Sequence, residues 1–219
     1  MLTRIVGDDR RGTSALEFAL LAPALIVIAL SLYDVTSAVI AWWQMAAGAH
    51  AIGLIATNLA ATPSLTNVLS AKDAGTASTA IYAVRPSLAG GGQQFGVTVS
   101  SIVFTAPSGC SANCTYTASV AWSAALQGSA AARPCGPLVP APDGSPPSPG
   151  TLPADAFSPA PLLLVDVTYR YVPLLTSPFA ASFPIRESAY FAPRTGSNAA
   201  WVRYTGANAA QVQCPGYVG

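Results

Sequence analysis

Phe18 to Tyr33 is sixteen residues long and carries no charge, and this run limits the chain's folding options more than any other. With its flanks the apolar helical pattern reaches from Ala15 to Ile40, and about 20 residues at about 1.5 Å each span a hydrocarbon core of roughly 30 Å. A cleaved secretory signal has a shorter apolar core closed by a small-residue site. Here the pattern continues through "YDVTSAVIAWWQMAAGAHAIGLIATNLA" without a stop. The expectation is a single helix to about Ala61, its first half in lipid and its second half emerging from it. Pro23 falls inside the span, where membrane helices tolerate proline better than soluble ones. Trp42 and Trp43 suit the far interface, where aromatic rings collect. Arg4, Arg10 and Arg11 precede the span, so positive-inside asymmetry keeps the N-terminus cytoplasmic and places everything beyond about Ile40 outside.

The rest of the composition narrows function by exclusion. Only 9% of residues are charged, against about 25% in an ordinary soluble domain. The net charge is +1, with Lys72 the single lysine and the arginines scattered. No basic stripe exists to neutralise phosphates, so nucleic acid is not an expected partner. His50 is the only histidine, and no Ser, Cys and acid constellation accompanies it, so a structural or exposed role outweighs general-base chemistry. The chain has neither a Gly-x-Ser-x-Gly elbow nor a phosphate-binding Gly-x-x-x-x-Gly-Lys loop. The chain is therefore expected to be no enzyme and to use no cofactor.

Cys110, Cys114, Cys135 and Cys214 are the four cysteines, an even number that fits an oxidising compartment. Cys110 and Cys114 in "GCSANCTY" are close enough to close a small loop. Cys135 and Cys214 then pair by elimination, one of three connectivities open to four cysteines. Zinc needs two close ligand pairs. The second pair here is far apart in sequence, so no metal is expected.

Glu17 stands near the start of the apolar run. A charge at the centre of a helix in lipid costs about 2.5–3.5 kcal/mol, and less near the ends, so by energy alone Glu17 is a side chain that reaches back to water. Its surroundings add more. Gly12 precedes "TSALEF", which makes Glu17 the fifth residue after that glycine and Phe18 the sixth. "RRGTSALEFALLAPALIVIALSLYDV" closely resembles the N-terminus of TadE-like pilus-assembly proteins of the tight-adherence branch of type IV pili, carried here by Arg11, Gly12, Leu16, Glu17, Phe18, Pro23 and Asp34. "LLLVDVTYRYVPLL", Leu162 to Leu175, resembles a strand of the same family.

The resemblance implies an inner-membrane, single-pass protein with a periplasmic pilin-like domain, packed through its N-terminal helix against other pilus-assembly subunits. It also implies a prepilin peptidase site between Gly12 and Thr13. Two readings stay open there, a cut or a retained leader, because typical type IV pilins carry an aromatic where Thr13 stands. If cut, the new ammonium can pair with Glu17 of a neighbouring subunit inside the membrane and set subunit register. Asp34 has two readings as well, an interfacial acid reaching water or an intramembrane partner contact. Small residues at Ala15, Ala19, Ala22 and Ala29 would let another helix approach closely.

Beyond the anchor, Thr62-Pro63 gives a helix-start signal, and a second helix is expected from Pro63 to about Ala83. Gly90-Gly91-Gly92 is a break. Strands are expected over Phe95–Ala106, which alternates at first, over Thr115–Ser123 and around Val165–Tyr171, both with period-2 alternation, and over Ser182–Arg194. Residues 133–161 hold ten of the nineteen prolines and read as a loop outside the sheet. The expected plan is α+β: a leader over 1–14, a transmembrane helix over 15–40, a helical region over 41–83, and a β-rich domain over 94–219 with about four antiparallel strands. The leading functional expectation is a TadE-like pseudopilin or assembly component of a tight-adherence pilus. The alternative is a membrane-anchored envelope enzyme or ligand-binding protein whose site lies in the β domain.

Overall fold

The structure is a computed structural model that describes residues 10–61, 67–90, 95–111, 113–174, 181–193, 201–206 and 211–217, and the side chains of these except 10–16. It has a long N-terminal helix and a sheet-rich domain, an α+β plan. Two compact units divide it: Met1–Ile40 with Val172–Ser182, and Ala41–Tyr171 with Phe183–Gly219.

The helix α1 spans Arg10–Ala61 and contains Pro23. Its portion in the first unit is apolar and open on nearly all sides. Phe18, Leu20, Leu25, Ile28, Leu32 and Val35 are all more than half exposed, and the helix is long and apolar enough to cross a membrane. Its hydroxyls turn back on their own carbonyls: Ser31 Oγ donates to Val27 O and Thr36 Oγ1 to Leu32 O, both at 2.8 Å. A polar group satisfied within its own helix is inexpensive in an apolar medium.

In the second unit α1 is one-sided. Ala41, Met45, Gly48, Ala49, Ile52, Gly53, Ala56, Thr57 and Ala60 are buried, the three- and four-residue spacing of a single helix face. Most are small, so the backbone can come close to what it covers. A Cβ added at Gly53 would land inside the Phe191 ring, while one at Gly48 would meet the flexible Ile81 side chain, Cδ1 at 2.6 Å and Cγ1 at 3.3 Å. Alanine at position 53 gains about 1 kcal/mol of helix propensity but overpacks the contact, a cost of about 1–3 kcal/mol or more. Gly53→Ala is therefore expected to lower the urea midpoint of the full chain in detergent, Gly48→Ala to change it little, and Phe191→Ala to suppress the Gly53 effect.

The main sheet contains β2 (Phe95–Thr105), β3 (Thr117–Gly128), β4 (Pro137–Ala141), β5 (Thr151–Pro153), β6 (Leu162–Tyr171), β7 (Phe183–Phe191) and β9 (Gln211–Gln213), in the order β5-β4-β3-β2-β6-β7 with β9 also paired to β3. The four expected strands form its centre, β3-β2-β6-β7, all antiparallel. The expectation of about four strands is corrected to seven. Two extra strands come from the proline-rich stretch expected to stay outside the sheet: β4 pairs with β3, and β5 runs parallel to β4. Proline survives there because the strands are short and peripheral. Pro137 opens β4, and the useful donor is Val139 N, which bonds Gly150 O at 3.2 Å.

The expected second helix is also corrected. Its proposed start at Thr62-Pro63 lies outside the described residues. Val68–Ser70 is a strand, β1, parallel to β8 (Arg203–Thr205) in a separate two-stranded sheet. Helix α2 (Ala71–Ser78) begins only after Ser70, whose Oγ accepts from Asp73 N at 3.1 Å and donates to the Asp73 carboxylate at 2.6 Å, a side-chain N-cap. A short α3 (Ala80–Val84) follows.

Alternation along β6 sorts the two faces of the sheet. Leu163, Val165, Val167, Tyr169 and Tyr171 are buried on one, and Phe191, Ala189 and Ile185 stand opposite Leu163, Val165 and Tyr169 on β7. The other face begins apolar at Leu164, where Ile102, Phe104, Val120, Leu138 and Leu152 form a second core, and becomes polar at Asp166 and Thr168.

Candidate functional site

Two regions carry polar groups in places that need explanation. The first is the apolar part of α1. Glu17 and Phe18 are both exposed, and adjacent helical residues point in different directions. Gly12 and Thr13 lie in the first turns of the same helix, and their side chains lie outside the described residues. Asp34 is seventeen residues beyond Glu17, hence about 25 Å along the axis and about 100° around it. The two carboxylates therefore do not meet. Asp34 is half-buried, and its Oδ1 accepts the backbone N–H of Leu174 at 2.7 Å. The two sequence readings of Asp34 were water and an intramembrane partner contact; the hydrogen bond shown here is to a residue of the same chain, 140 residues away.

The second region is on the polar half of the sheet. A cavity of about 440 Å³ is lined by Thr98, Arg133, Ser148, Asp166, Arg186 and Ser188 among others. Its inner wall is Arg133, which is 2% exposed and sits against Asp166 at 19%. Arg133 Nε and Nη2 donate to the two carboxylate oxygens at 2.6 and 2.9 Å, a bidentate fork. Its Nη1 donates to Pro149 O at 2.9 Å and Thr151 O at 3.4 Å, and Ser188 Oγ donates to Asp166 Oδ1 at 2.5 Å. The proline-rich excursion is thus tied to β6 by one guanidinium whose donors are directed at the protein itself. Burial first, and then the Asp166 charge, hold the Tyr190 phenol above the ordinary tyrosine range. Sequence reasoning missed this cluster. The only signal was an acid on the polar face of a strand, and no spacing rule links it to an arginine 33 residues earlier.

Both cysteine pairs form, Cys110–Cys114 and Cys135–Cys214. The first closes the turn between β2 and β3. The second joins the residues just before β4 and just after β9, which pair with successive stretches of β3: Ala118–Ser119 against β4, Trp122–Ala124 against β9. His50 is exposed and meets the Phe191 ring edge-on at 5.7 Å. Nearer the start of the buried stripe, Trp42 Nε1 donates to Glu187 Oε2 at 2.9 Å. Among the described residues no group of three His, Cys, Asp or Glu side chains could hold a metal ion. Comparisons with protein-family models, with curated proteins and with solved structures gave no match.

Proposed function

We propose that this chain is a TadE-like pseudopilin or assembly component of a tight-adherence pilus, a non-enzymatic subunit acting through its helix in the membrane and its β domain in the periplasm. The observation that carries the reading is the change in character along α1. Residues 18–40 are apolar and open on nearly all sides, which suits lipid and neighbouring helices. From Ala41 to Ala60 the same helix buries a single small-residue stripe in a disulfide-bonded domain. A helix that serves two solvents in succession suits a subunit handed from a membrane to an assembly. The Gly12–Glu17–Phe18 spacing adds the pilin-type signature. Arg4, Arg10 and Arg11 favour a cytoplasmic N-terminus in the inner membrane, and two disulfides favour an oxidising compartment for the β domain.

In this mechanism Glu17 is the register residue. Its exposed carboxylate pairs with a cation on a neighbouring helix, the Thr13 ammonium if prepilin peptidase cuts after Gly12. Intact mass of the membrane-extracted chain decides between a retained leader and a chain beginning at Thr13. Glu17→Ala is expected to abolish surface pili, or co-isolation with the other assembly subunits, while thermal unfolding of the β domain is unchanged. An unchanged pilus count in that variant would contradict the proposal.

The second reading, an anchored ligand-binding protein, is favoured by the 440 Å³ cavity. Its buried Arg133 is already engaged by Asp166, Pro149 and Thr151, which argues for a fastener over a ligand hook.

A further inference from the structure

The connection between β6 and β7 begins on apolar residues. From Val172 to Ser182 it reads "VPLLTSPFAAS". A surface loop between strands is ordinarily polar because its backbone faces water. Here the described residues at its start are apolar and open: Val172 is 49% exposed and Leu174 62%. These two residues share a compact unit with the apolar part of α1, and the Leu174 N–H is bonded to Asp34.

We propose that the start of this connection, Val172–Leu174, is a second membrane contact, seated in the outer leaflet beside α1 and held there by Asp34. The inference rests on reading α1 as a membrane span. Two observations support it. Asp34 precedes Trp42 by eight residues, about 12 Å along the helix, so if the tryptophans mark the headgroup level the bond to Leu174 lies on the lipid side of it. In that environment an unpaired backbone N–H and an unpaired carboxylate are each costly, and this bond gives each a partner. The occupant of the exposed Val172 and Leu174 surface is therefore acyl chain, continuous with the lipid around α1.

The test uses the full chain in vesicles of phosphatidylethanolamine and phosphatidylglycerol. All four native cysteines are disulfide-bonded, so Leu174→Cys introduces the single free thiol, which is labelled with a nitroxide. Collision with lipid-soluble oxygen is compared with collision with a water-soluble nickel chelate. Leu20→Cys reports on the span and Ser145→Cys on an exposed loop of the β domain. Position 174 is expected to prefer oxygen, as position 20 does, and position 145 to prefer the chelate. In the Asp34→Leu background position 174 loses that preference, whereas Asp34→Asn, which keeps an acceptor, retains it. A label at 174 that prefers the chelate while 20 prefers oxygen overturns the proposal and leaves the span intact. Shielding of 174 from both reagents also overturns it, by identifying a protein contact such as a second copy. If position 20 itself prefers the chelate, the reading of α1 fails and the proposal with it.

Discussion

Replacing Cys135 and Cys214 together by serine is expected to destabilise the β domain by about 4 kcal/mol, judged by the chain entropy of closing a long loop. The bond spans a sequence separation of 79, against 4 for Cys110–Cys114, and the unfolded chain gains correspondingly more freedom when the longer link is cut. The local consequence follows from the sheet. The strands β4 and β9 are short and lie along successive stretches of one edge of β3. Neither is long enough to hold its place by pairing alone. The bonds Val120 N to Gly136 O and Cys214 N to Ala121 O flank the disulfide at 3.3 and 3.0 Å. Without the link, the amides of Val212 and Cys214 should lose hydrogen-exchange protection first, at denaturant concentrations that leave β2 and β6 protected. Cys110→Ser with Cys114→Ser should shift the urea midpoint by less than half as much. Equal shifts for the two pairs would contradict this account.

Asp166→Ala should cost nearly as much, about 3–5 kcal/mol, because it leaves Arg133 buried without its counterion. The size follows from asymmetry. Arg133 is almost wholly enclosed and Asp166 retains some exposure, so losing the acid strands a charge that cannot reach water. Losing the arginine leaves an acid that can. Arg133→Met is accordingly expected to be the milder of the two, and Arg133→Met with Asp166→Leu milder than Asp166→Ala alone. Arg133→Lys should not rescue, since one ammonium cannot fork across both carboxylate oxygens and also reach Pro149 and Thr151. Urea unfolding followed by tryptophan fluorescence measures all four. If Asp166→Ala melts within about 1 kcal/mol of the parent, the cluster is not the fastener of the proline-rich excursion and the cavity becomes a better candidate for ligand binding.

The parts of this fold that were legible in sequence are those written in local pattern. The lipid-length run and the continuation of α1 to Ala61 form one long apolar stretch without a stop, and the centres of β3 and β6 alternate every two residues. The misread parts were short and depended on distant partners. Val68–Ser70 is three residues long and becomes a strand only because β8, more than 130 residues later, lies beside it. The strands β4 and β5 sit among prolines that forbid long ladders, yet a long ladder was never needed. Arg133 and Asp166 gave no joint signal because their meeting is a product of tertiary packing. The same holds for Asp34. Its place near the end of the span was visible, but its bond to Leu174 was not, since nothing in "SLYDVTS" names a loop so far along the chain.

The central claim is that the exposed helix around Glu17 packs against other pilus-assembly subunits within the membrane. It is tested most directly by placing a photo-crosslinking amino acid at Leu20 or Leu21, one turn from Glu17 and both exposed, in cells assembling pili. The account predicts ultraviolet-dependent adducts whose partner, identified by mass spectrometry, is a pilus-assembly subunit, and predicts their loss in the Glu17→Ala background. Adducts to lipid alone, or protein adducts indifferent to Glu17, would contradict it.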